Sequence, residues 1–346
     1  MRTNSLYLIG LIALAVAPLH AQQYWVTTPP DCSSLGTTFG QAVAIKNAAG
    51  IATIGYSCSV TGTFVWLAAG GMWGTTIRVA APASAPVGVD YTFYDKSGQN
   101  QSLDSTINND SSSLASGNDV NFALFANQPA EVELLGLTSD AGTGYSTTAE
   151  GSVYATFYCP DATTCANVLP QLLYSALPTD PWSLSVPIAW DDSLSYEWSA
   201  EGIDDGSTNV VSFVVYNEET NAATYNIYVY DSDGNLAAQG TTPSIPGFNS
   251  VTEQAGTYAD LLSNVVSPSL PSGIFKILID GGSSLSAVEV LQINGTSATT
   301  LQVAYDTAPN LTTSSRPVQR QSVKRLRAAS TPKTVFHGLP KQNRLR

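Results

Sequence analysis

Residues 76–98 read TIRVAAPASAPVGVDYTFYDKSG, and residues 212–234, 136 positions later, read SFVVYNEETNAATYNIYVYDSDG. The two stretches align without a gap, although only four positions are identical: Val79/Val215, Tyr94/Tyr230, Asp95/Asp231 and Gly98/Gly234. Each stretch runs through an apolar strand, a small or polar turn, a second alternating strand and a Tyr-Asp-x-x-Gly turn, which is a β pattern. The repetition therefore predicts one β module written twice. It determines the fold but not an activity.

Further short strands are predicted around both copies. In the first module they cover residues 63–67, 75–80, 89–94, 121–125, 130–135, 152–158 and 171–174, and in the second module residues 184–190, 209–216, 223–230, 274–279, 287–293 and 299–304. Residues 257–266 leave one helical turn open as an alternative, and Asn294-Gly295 between two apolar runs indicates a hairpin. About seven short strands in roughly 130 residues, without helical periodicity, are typical of an antiparallel sandwich. We therefore expect an all-β protein of two tandem antiparallel β-sandwich (Ig-like) domains, residues 22–178 and 179–312.

The N-terminus has the pattern of a secretory signal peptide. Arg2 precedes an apolar run over residues 6–18, and Ala21 offers a small residue for cleavage. The apolar run is too short to span a bilayer, and no later segment reaches 18 unbroken apolar residues. Residues 1–21 are therefore predicted to be a signal peptide. The mature chain is predicted to be secreted or associated with the cell envelope, without a transmembrane segment.

Charge is divided sharply between the body of the chain and its end. Residues 22–315 hold four basic and 27 acidic side chains, a net charge of −23, whereas the last 31 residues hold nine basic side chains and no acid. The acidic body excludes nucleic acid as its partner. The tail, residues 313–346, is rich in Ser, Pro, Arg and Gln and is predicted to be disordered. It could bind an anionic envelope polymer or fold back on the body.

Four cysteines in an exported chain favour disulfides. Three pairings are possible, and the simplest joins near neighbours, Cys32 with Cys58 and Cys159 with Cys165. Two pairs of buried free thiols are the alternative. A zinc site is disfavoured because only one pair is close and no histidine accompanies it.

The histidine count limits the possible chemistry. The two histidines are His20, in the signal segment, and His337, in the tail. Within the body this excludes Ser-His-Asp and Cys-His catalysis and histidine-ligated metals. The sequence also has no phosphate-binding loop and no dinucleotide fingerprint, so no cofactor is predicted.

Carboxylates and tryptophans remain as the candidates for a site. Six acidic residues lie within fifteen positions of the second module: Asp191, Asp192, Glu197, Glu201, Asp204 and Asp205. Trp182, Trp190 and Trp198 lie among or just before them. Sugar-binding proteins and glycosidases combine carboxylates with stacking aromatics, so these tryptophans are the ligand-binding candidates. A solvated acidic loop with tryptophans in the core is the favoured interpretation.

A metal site is considered at one turn. Asp231, Asp233 and Asn235 alternate as in the opening of a calcium loop, but residue 242, the closing position, is Thr. The matching turn of the first copy has Lys96 where a ligand is needed. A turn that serves both copies structurally explains the pattern with one cause, and no metal is predicted.

Four motifs in the chain resemble those of a known family. They are residues 70–76, residues 93–98, residues 187–192 and residues 230–235. Together they resemble a β-sandwich module that occurs in pairs in secreted bacterial proteins of uncharacterised function. In that family an Asn usually follows the first strand; the second copy keeps it as Asn217, and the first copy has Ala80-Ala81-Pro82 instead. The resemblance implies a fold and is silent on activity.

These observations favour an exported, non-enzymatic protein with a structural or adhesion-like interaction role, tethered to the envelope by its basic tail. Extracellular polysaccharide or an envelope polymer is the partner class that charge and aromatics suggest. The alternatives are a carbohydrate-binding module protein and, after it, a carboxylate-based glycoside hydrolase.

Overall fold

The computed structural model describes Cys32 and residues 40–46, 52–80, 87–108, 112–124, 129–176, 183–191, 194–247, 255–294 and 297–300. The signal peptide predicted for residues 1–21, Trp182 and the tail predicted for residues 313–346 lie outside this part of the chain. They stay predictions. The chain divides into two compact units, Met1–Asp306 and Thr307–Arg346, and everything described below belongs to the first.

The prediction of an all-β fold is confirmed. The described residues form four antiparallel sheets, and their helices are limited to α1 (Ala162–Cys165), α2 (Leu262–Val265) and a 3-10 turn at Thr138–Thr143. No helix in these ranges is long and apolar enough to cross a membrane.

The first pair of sheets is built from the N-terminal half of the chain. Sheet one has the order β1 (Gly40–Lys46), β2 (Ala52–Ala69), β9 (Ala149–Cys159), β4 (Val87–Asp95) and β7 (Asp119–Leu124), with β12 (Ala189–Trp190) paired to β2. Sheet two has the order β11 (Ser183–Pro187), β10 (Leu169–Ala176), β3 (Trp73–Ala80), β8 (Pro129–Leu137), β5 (Leu103–Asn108) and β6 (Ser112–Gly117).

A single apolar core lies between these two sheets. It draws on both, with Ile77 and Val132 from sheet two and Phe93 and Phe157 from sheet one, all fully buried. The ring of Tyr91 meets Phe157 edge-on at 6.1 Å between centroids. Each fully buried large side chain contributes roughly 1.5–3 kcal/mol to stability. Because side chains alternate along a strand, each sheet turns one apolar face to the other, and these buried faces hold the pair of sheets together.

The second pair of sheets follows in the chain. Sheet three has the order β13 (Glu197–Ile203), β19 (Ile274–Asp280), β15 (Asn226–Tyr230), β16 (Leu236–Thr241) and β18 (Val266–Ser267). Sheet four has the order β17 (Thr257–Leu261), β14 (Asn209–Asn217), β20 (Ser286–Asn294) and β21 (Ser297–Thr300). A second core draws Phe213 and Val290 from sheet four and Ile277 and Val229 from sheet three.

The repeated stretch has the same local structure in both copies. In each copy the chain leaves one sheet, in β3 or β14, and enters the other sheet of the pair, in β4 or β15. The turn that follows is also the same. Asp95 Oδ1 accepts hydrogen bonds from the amides of Ser97 at 2.8 Å and Gln99 at 3.0 Å. Asp231 Oδ1 accepts the equivalent hydrogen bonds from the amides of Asp233 at 2.9 Å and Asn235 at 2.8 Å.

Both turns also need a glycine in the left-handed region. Gly98 has φ 78° and Gly234 has φ 82°, and each donates its amide to the aspartate carbonyl at 3.0 Å. A side chain other than glycine is strained there. The Tyr-Asp-x-x-Gly motif is therefore a backbone requirement at both places.

The disulfides are Cys32–Cys58 and Cys159–Cys165, the local pairing. All four cysteines are buried. Cys58 on β2 and Cys159 on β9 are direct neighbours in the strand register, so the two bridges lie side by side at one end of sheet one. They cross-link Cys32 and the α1 turn to the same strand pair.

The two pairs of sheets meet at a third apolar cluster, here called the seam: Val65, Val214, Tyr216, Ala255 and Ala287, with Trp66, Ala189, Leu194 and Ala259 packed against them. β2 supplies the first sheet pair's side, and sheet four supplies most of the other. The first repeat turn takes part, because Thr257 donates its amide to the Lys96 carbonyl at 3.1 Å. A Cβ on Gly256 would lie 2.7 Å from that carbonyl oxygen, so this approach requires glycine.

Several strands were not predicted. The β13 segment is interpreted from sequence as an acidic loop, because it carries Glu197 and Glu201, which lie on the outward side of the strand. The segments of β5 and β6 are rich in Ser, Thr and Asn, so their sequences do not indicate strands. The ambiguous segment 257–266 is a strand, one helical turn and a two-residue strand. The hairpin predicted at Asn294-Gly295 is present, since Asn294 pairs with Ser297.

Candidate functional site

A group of polar side chains lies beside the seam. We call it the acid–tyrosine cluster: Thr61, Thr63, Tyr154, Asp191, Tyr216 and Glu218. Thr61 and Thr63 come from β2, Tyr154 from β9, Asp191 follows β12, and Tyr216 and Glu218 lie at the end of β14. Both pairs of sheets therefore contribute to it.

Gly62 explains how Asp191 reaches this place. β12 pairs with β2, with Ala189 opposite Thr63 and Trp190 opposite Gly62. A Cβ on Gly62 would lie 2.7 Å from the Ala189 carbonyl oxygen and 3.0 Å from Ile188 Cδ1. Only glycine lets this short strand lie so close, and the next residue along the chain, Asp191, then lies over Thr61.

The Asp191 carboxylate is held by hydroxyls. Oδ2 accepts a hydrogen bond from Thr61 Oγ1 and a second from Tyr154 OH at 3.3 Å. Burial, followed by the charge of Asp191, raises the pKa of Tyr154, so that its phenol stays protonated and continues to donate.

Glu218 is the second carboxyl of the cluster. Its pKa is raised to about 7, chiefly by burial and to a smaller extent by the charges of Asp191 and Glu219, while a hydrogen bond from Tyr216 opposes the shift. Glu218 therefore carries its proton in mildly acidic medium. A protonated carboxyl near a second carboxylate has the chemical parts of an acid–base pair, although a glycosidase also needs space for a sugar between them.

The tryptophan candidates occupy different environments. Trp198 on β13 is only 6% exposed, belongs to the second core and donates Nε1 to Ser286 Oγ at 3.1 Å. Trp190 is half-buried and meets the ring of Phe157 edge-on at 5.7 Å. Trp182 lies outside the described residues. The structure therefore does not place the two described tryptophans on one surface.

The acidic residues of the second module are dispersed as well. Asp191 joins the acid–tyrosine cluster, Asp192 is not among the described residues, and Glu197 and Glu201 lie on β13. Asp204 accepts hydrogen bonds from the amides of Gly206 at 2.8 Å and Val211 at 3.0 Å. Asp205 accepts five from the turn that follows it, three from amides and one each from the side chains of Ser207 and Asn209. These two aspartates line an open groove of about 550 Å³ with Ile203 and Leu270. Their hydrogen bonds tie them to the backbone.

The calcium candidate is one of several turns of the same kind. Asp231 uses Oδ1 for the turn amides, as Asp95 and Asp205 do, and these bonds lower the pKa of Asp231. Among the residues that the structure describes, no group of three or more His, Cys, Asp or Glu side chains could hold a metal ion. Calcium binding at Asp231, Asp233 and Asn235 remains untested.

Sequence reasoning missed Glu218, Tyr154 and Thr61, since nothing in their spacing links them. It also missed Asp90 and Glu289. The sequence does contain a signal for Asp90 and Glu289. Each is an acidic residue within an otherwise apolar strand segment, residues 87–93 and residues 287–291. Burial raises the pKa of Asp90 to about 6, with a smaller contribution from Asp119.

Comparison of the chain with protein-family models, with curated proteins and with solved structures finds no match.

Proposed function

We propose that this chain is an exported, non-enzymatic β-sandwich protein with a structural or adhesion-like interaction role, made of two tandem Ig-like modules. Two pairs of antiparallel sheets, each around its own core, support the tandem arrangement. Two buried disulfides fit an oxidising, extracytoplasmic location.

One observation supports the proposal: side chains that a catalytic or sugar-binding site would use are instead packed in a core or hydrogen-bonded within turns. Trp198 is in a core, and Asp204, Asp205 and Asp231 accept backbone amides of their own turns. Hydrogen-bonded side chains of this kind stabilise turns and cores. The acidic surface then keeps the protein soluble outside the cell.

The non-enzymatic part is tested by incubating the full chain with soluble polysaccharides between about pH 4 and pH 8 and measuring new reducing ends. We expect none above the buffer rate. Release of shorter products that is lost in both Asp191→Asn and Glu218→Gln would overturn this part and identify the acid–tyrosine cluster as a hydrolytic site.

The tail is proposed to tether the protein to an anionic envelope polymer, on the basis of the charge of −23 in residues 22–315 and +9 in the last 31 residues. Replacing Lys324, Arg325 and Arg327 with Gln in the full chain should release more protein from cells in a salt wash, because exposed charge pairs are screened by salt. Replacing the body residues Arg78 and Lys276 with Gln is the control and should change nothing. Equal retention of intact and tail-substituted protein would refute the tether.

A carbohydrate-binding function is the second candidate. It is favoured by the half-buried Trp190 next to Asp191 and by Tyr196, whose side chain is 47% exposed. Under this alternative, Trp190→Ala abolishes retention on insoluble polysaccharide and leaves the circular dichroism spectrum unchanged. Trp198→Ala should instead destabilise the protein, because its ring lies in the second core.

A further inference from the structure

Glu289 lies on the face of β20 that meets the first pair of sheets. On this strand Val288 and Val290 belong to the second core, whereas Ala287 belongs to the seam and Leu291 packs against the first core. Side chains alternate along a strand. Glu289 therefore shares the seam face with Ala287 and Leu291.

The Glu289 side chain is enclosed there. It is 5% exposed, and neither Oε1 nor Oε2 has a hydrogen-bond partner among the residues that the structure describes. Its neighbour across the ladder, Val214 on β14, is another seam residue. From β10, Tyr174 is close enough for its phenol to be affected by the charge of Glu289, and that phenol donates to the Trp66 carbonyl on β2.

The charged side chains beside Tyr216 in the seam are acidic. Asp191 and Glu218 lie near Tyr216, at the acid–tyrosine cluster. The ion pairs found in the described residues, Arg78 with Glu131 and Lys96 with Glu150, join residues of the first pair of sheets to one another. Within the described part of the chain, none of these cations compensates a charge on Glu289.

A carboxylate in such a place is costly, because removing an ionised group from water without a partner is strongly unfavourable. Burial accordingly raises the pKa of Glu289 from 4.5 to about 8. The same cause raises the pKa of Glu218 to about 7. Protonated Glu289 is a neutral side chain and fits the apolar seam better than its ionised form does.

We propose that Glu289 makes the seam a pH-dependent joint between the two pairs of sheets, closed while its carboxyl is protonated and loosened when that carboxyl ionises. The contact between the two pairs of sheets is therefore more stable in mildly acidic medium than in alkaline medium. The first pair of sheets, held by its own core and disulfides, is not expected to respond.

The direction follows from proton linkage. Below about pH 4.5 the carboxyl is protonated whether the seam is closed or open, so pH has no effect through this group. As the pH rises from there, the open form releases the proton first, and closure weakens until the pH passes the folded-state pKa. Between about pH 5 and pH 8.5 the equilibrium constant for opening should rise roughly 500-fold.

Hydrogen–deuterium exchange of the full chain, corrected for the intrinsic pH dependence of exchange, tests this directly. Peptides covering residues 60–67 and 285–292 should lose protection at about pH 8.5 relative to about pH 5, and a peptide covering residues 103–108 should not. Glu289→Gln, which stays neutral, should keep the seam peptides protected at both pH values. Glu133→Gln is the control, because Glu133 is exposed on β8, and it should behave like the wild type.

Equal protection of the wild-type seam at both pH values would overturn the proposal without any variant. A pH-dependent loss that persists unchanged in Glu289→Gln would overturn it too and would assign the effect to Glu218 and Asp191. If Glu289→Gln does not fold, Glu289→Met provides the same neutral test. If neither folds, Glu218→Gln decides: the loss of protection at about pH 8.5 should persist in that variant, and its disappearance would overturn the assignment to Glu289.

Discussion

Asn217, at the residue scale, shows how the interior handles polar groups. It is fully buried at the end of β14. Its Nδ2 donates to the carbonyls of Asn221 at 3.1 Å, Ile245 at 3.2 Å and Pro246 at 3.1 Å, and its Oδ1 accepts from the Glu219 amide at 3.0 Å and from Tyr225 OH at 2.9 Å. One side chain thus organises three loop segments, which accounts structurally for an Asn after the first strand of the second copy.

Asn217→Ala should lower the free energy of unfolding by about 3 kcal/mol, because several buried donors and acceptors lose their partner together. Chemical denaturation measures this. Asn121→Ala is the control, since the Asn121 side chain is exposed and donates to Asp119 at 2.8 Å, and it should cost less than about 0.5 kcal/mol. Equal costs for the two variants would contradict the role assigned to Asn217.

At the scale of elements, the two-residue strand β12 depends on Gly62. Gly62→Ala should destabilise the protein by about 1–3 kcal/mol and shift the emission of Trp190, because the new methyl group displaces β12 from β2. Gly142→Ala is the matched control, since a Cβ there meets nothing within 4 Å. An unchanged unfolding midpoint in Gly62→Ala would show that β12 tolerates the methyl group.

The two repeat turns provide a second test at this scale. Asp95→Ala and Asp231→Ala should each lower the midpoint of chemical unfolding, because each removes the acceptor of two turn amides. The two losses should be alike, and neither should depend on millimolar calcium or on a chelator. A calcium-dependent loss in Asp231→Ala alone would assign a calcium site to that turn.

The elements also show what sequence could predict. Alternating apolar strands such as β4 and β20, and the repeated turn, were predictable because local pattern alone determines them. β13 was not predicted as a strand because its outward side chains are acidic. A strand with one solvent-exposed face can carry acidic residues on that face. The acid–tyrosine cluster could not be predicted, since Thr61, Tyr154 and Glu218 are brought together only by strand pairing and by the seam.

At the scale of the whole molecule, two cores and a seam account for most buried side chains of the described residues, with Trp198 in the second core and Trp190 packed against the first. The seam is the part where charge and packing conflict, because it encloses Glu289 among apolar residues. The sequence places a strongly acidic body before a basic tail. These features are the basis of the proposal that the chain is an exported scaffold whose contacts with a partner depend on its surface and tail.

The most direct test of that description is the intrinsic tryptophan fluorescence of the full chain, titrated with a panel of polysaccharides with and without millimolar calcium. If the tryptophans serve the fold, no polysaccharide should produce a saturable shift in emission. A saturable, ligand-specific shift that disappears in Trp190→Ala would contradict the account, because it would place a functional aromatic on a binding surface.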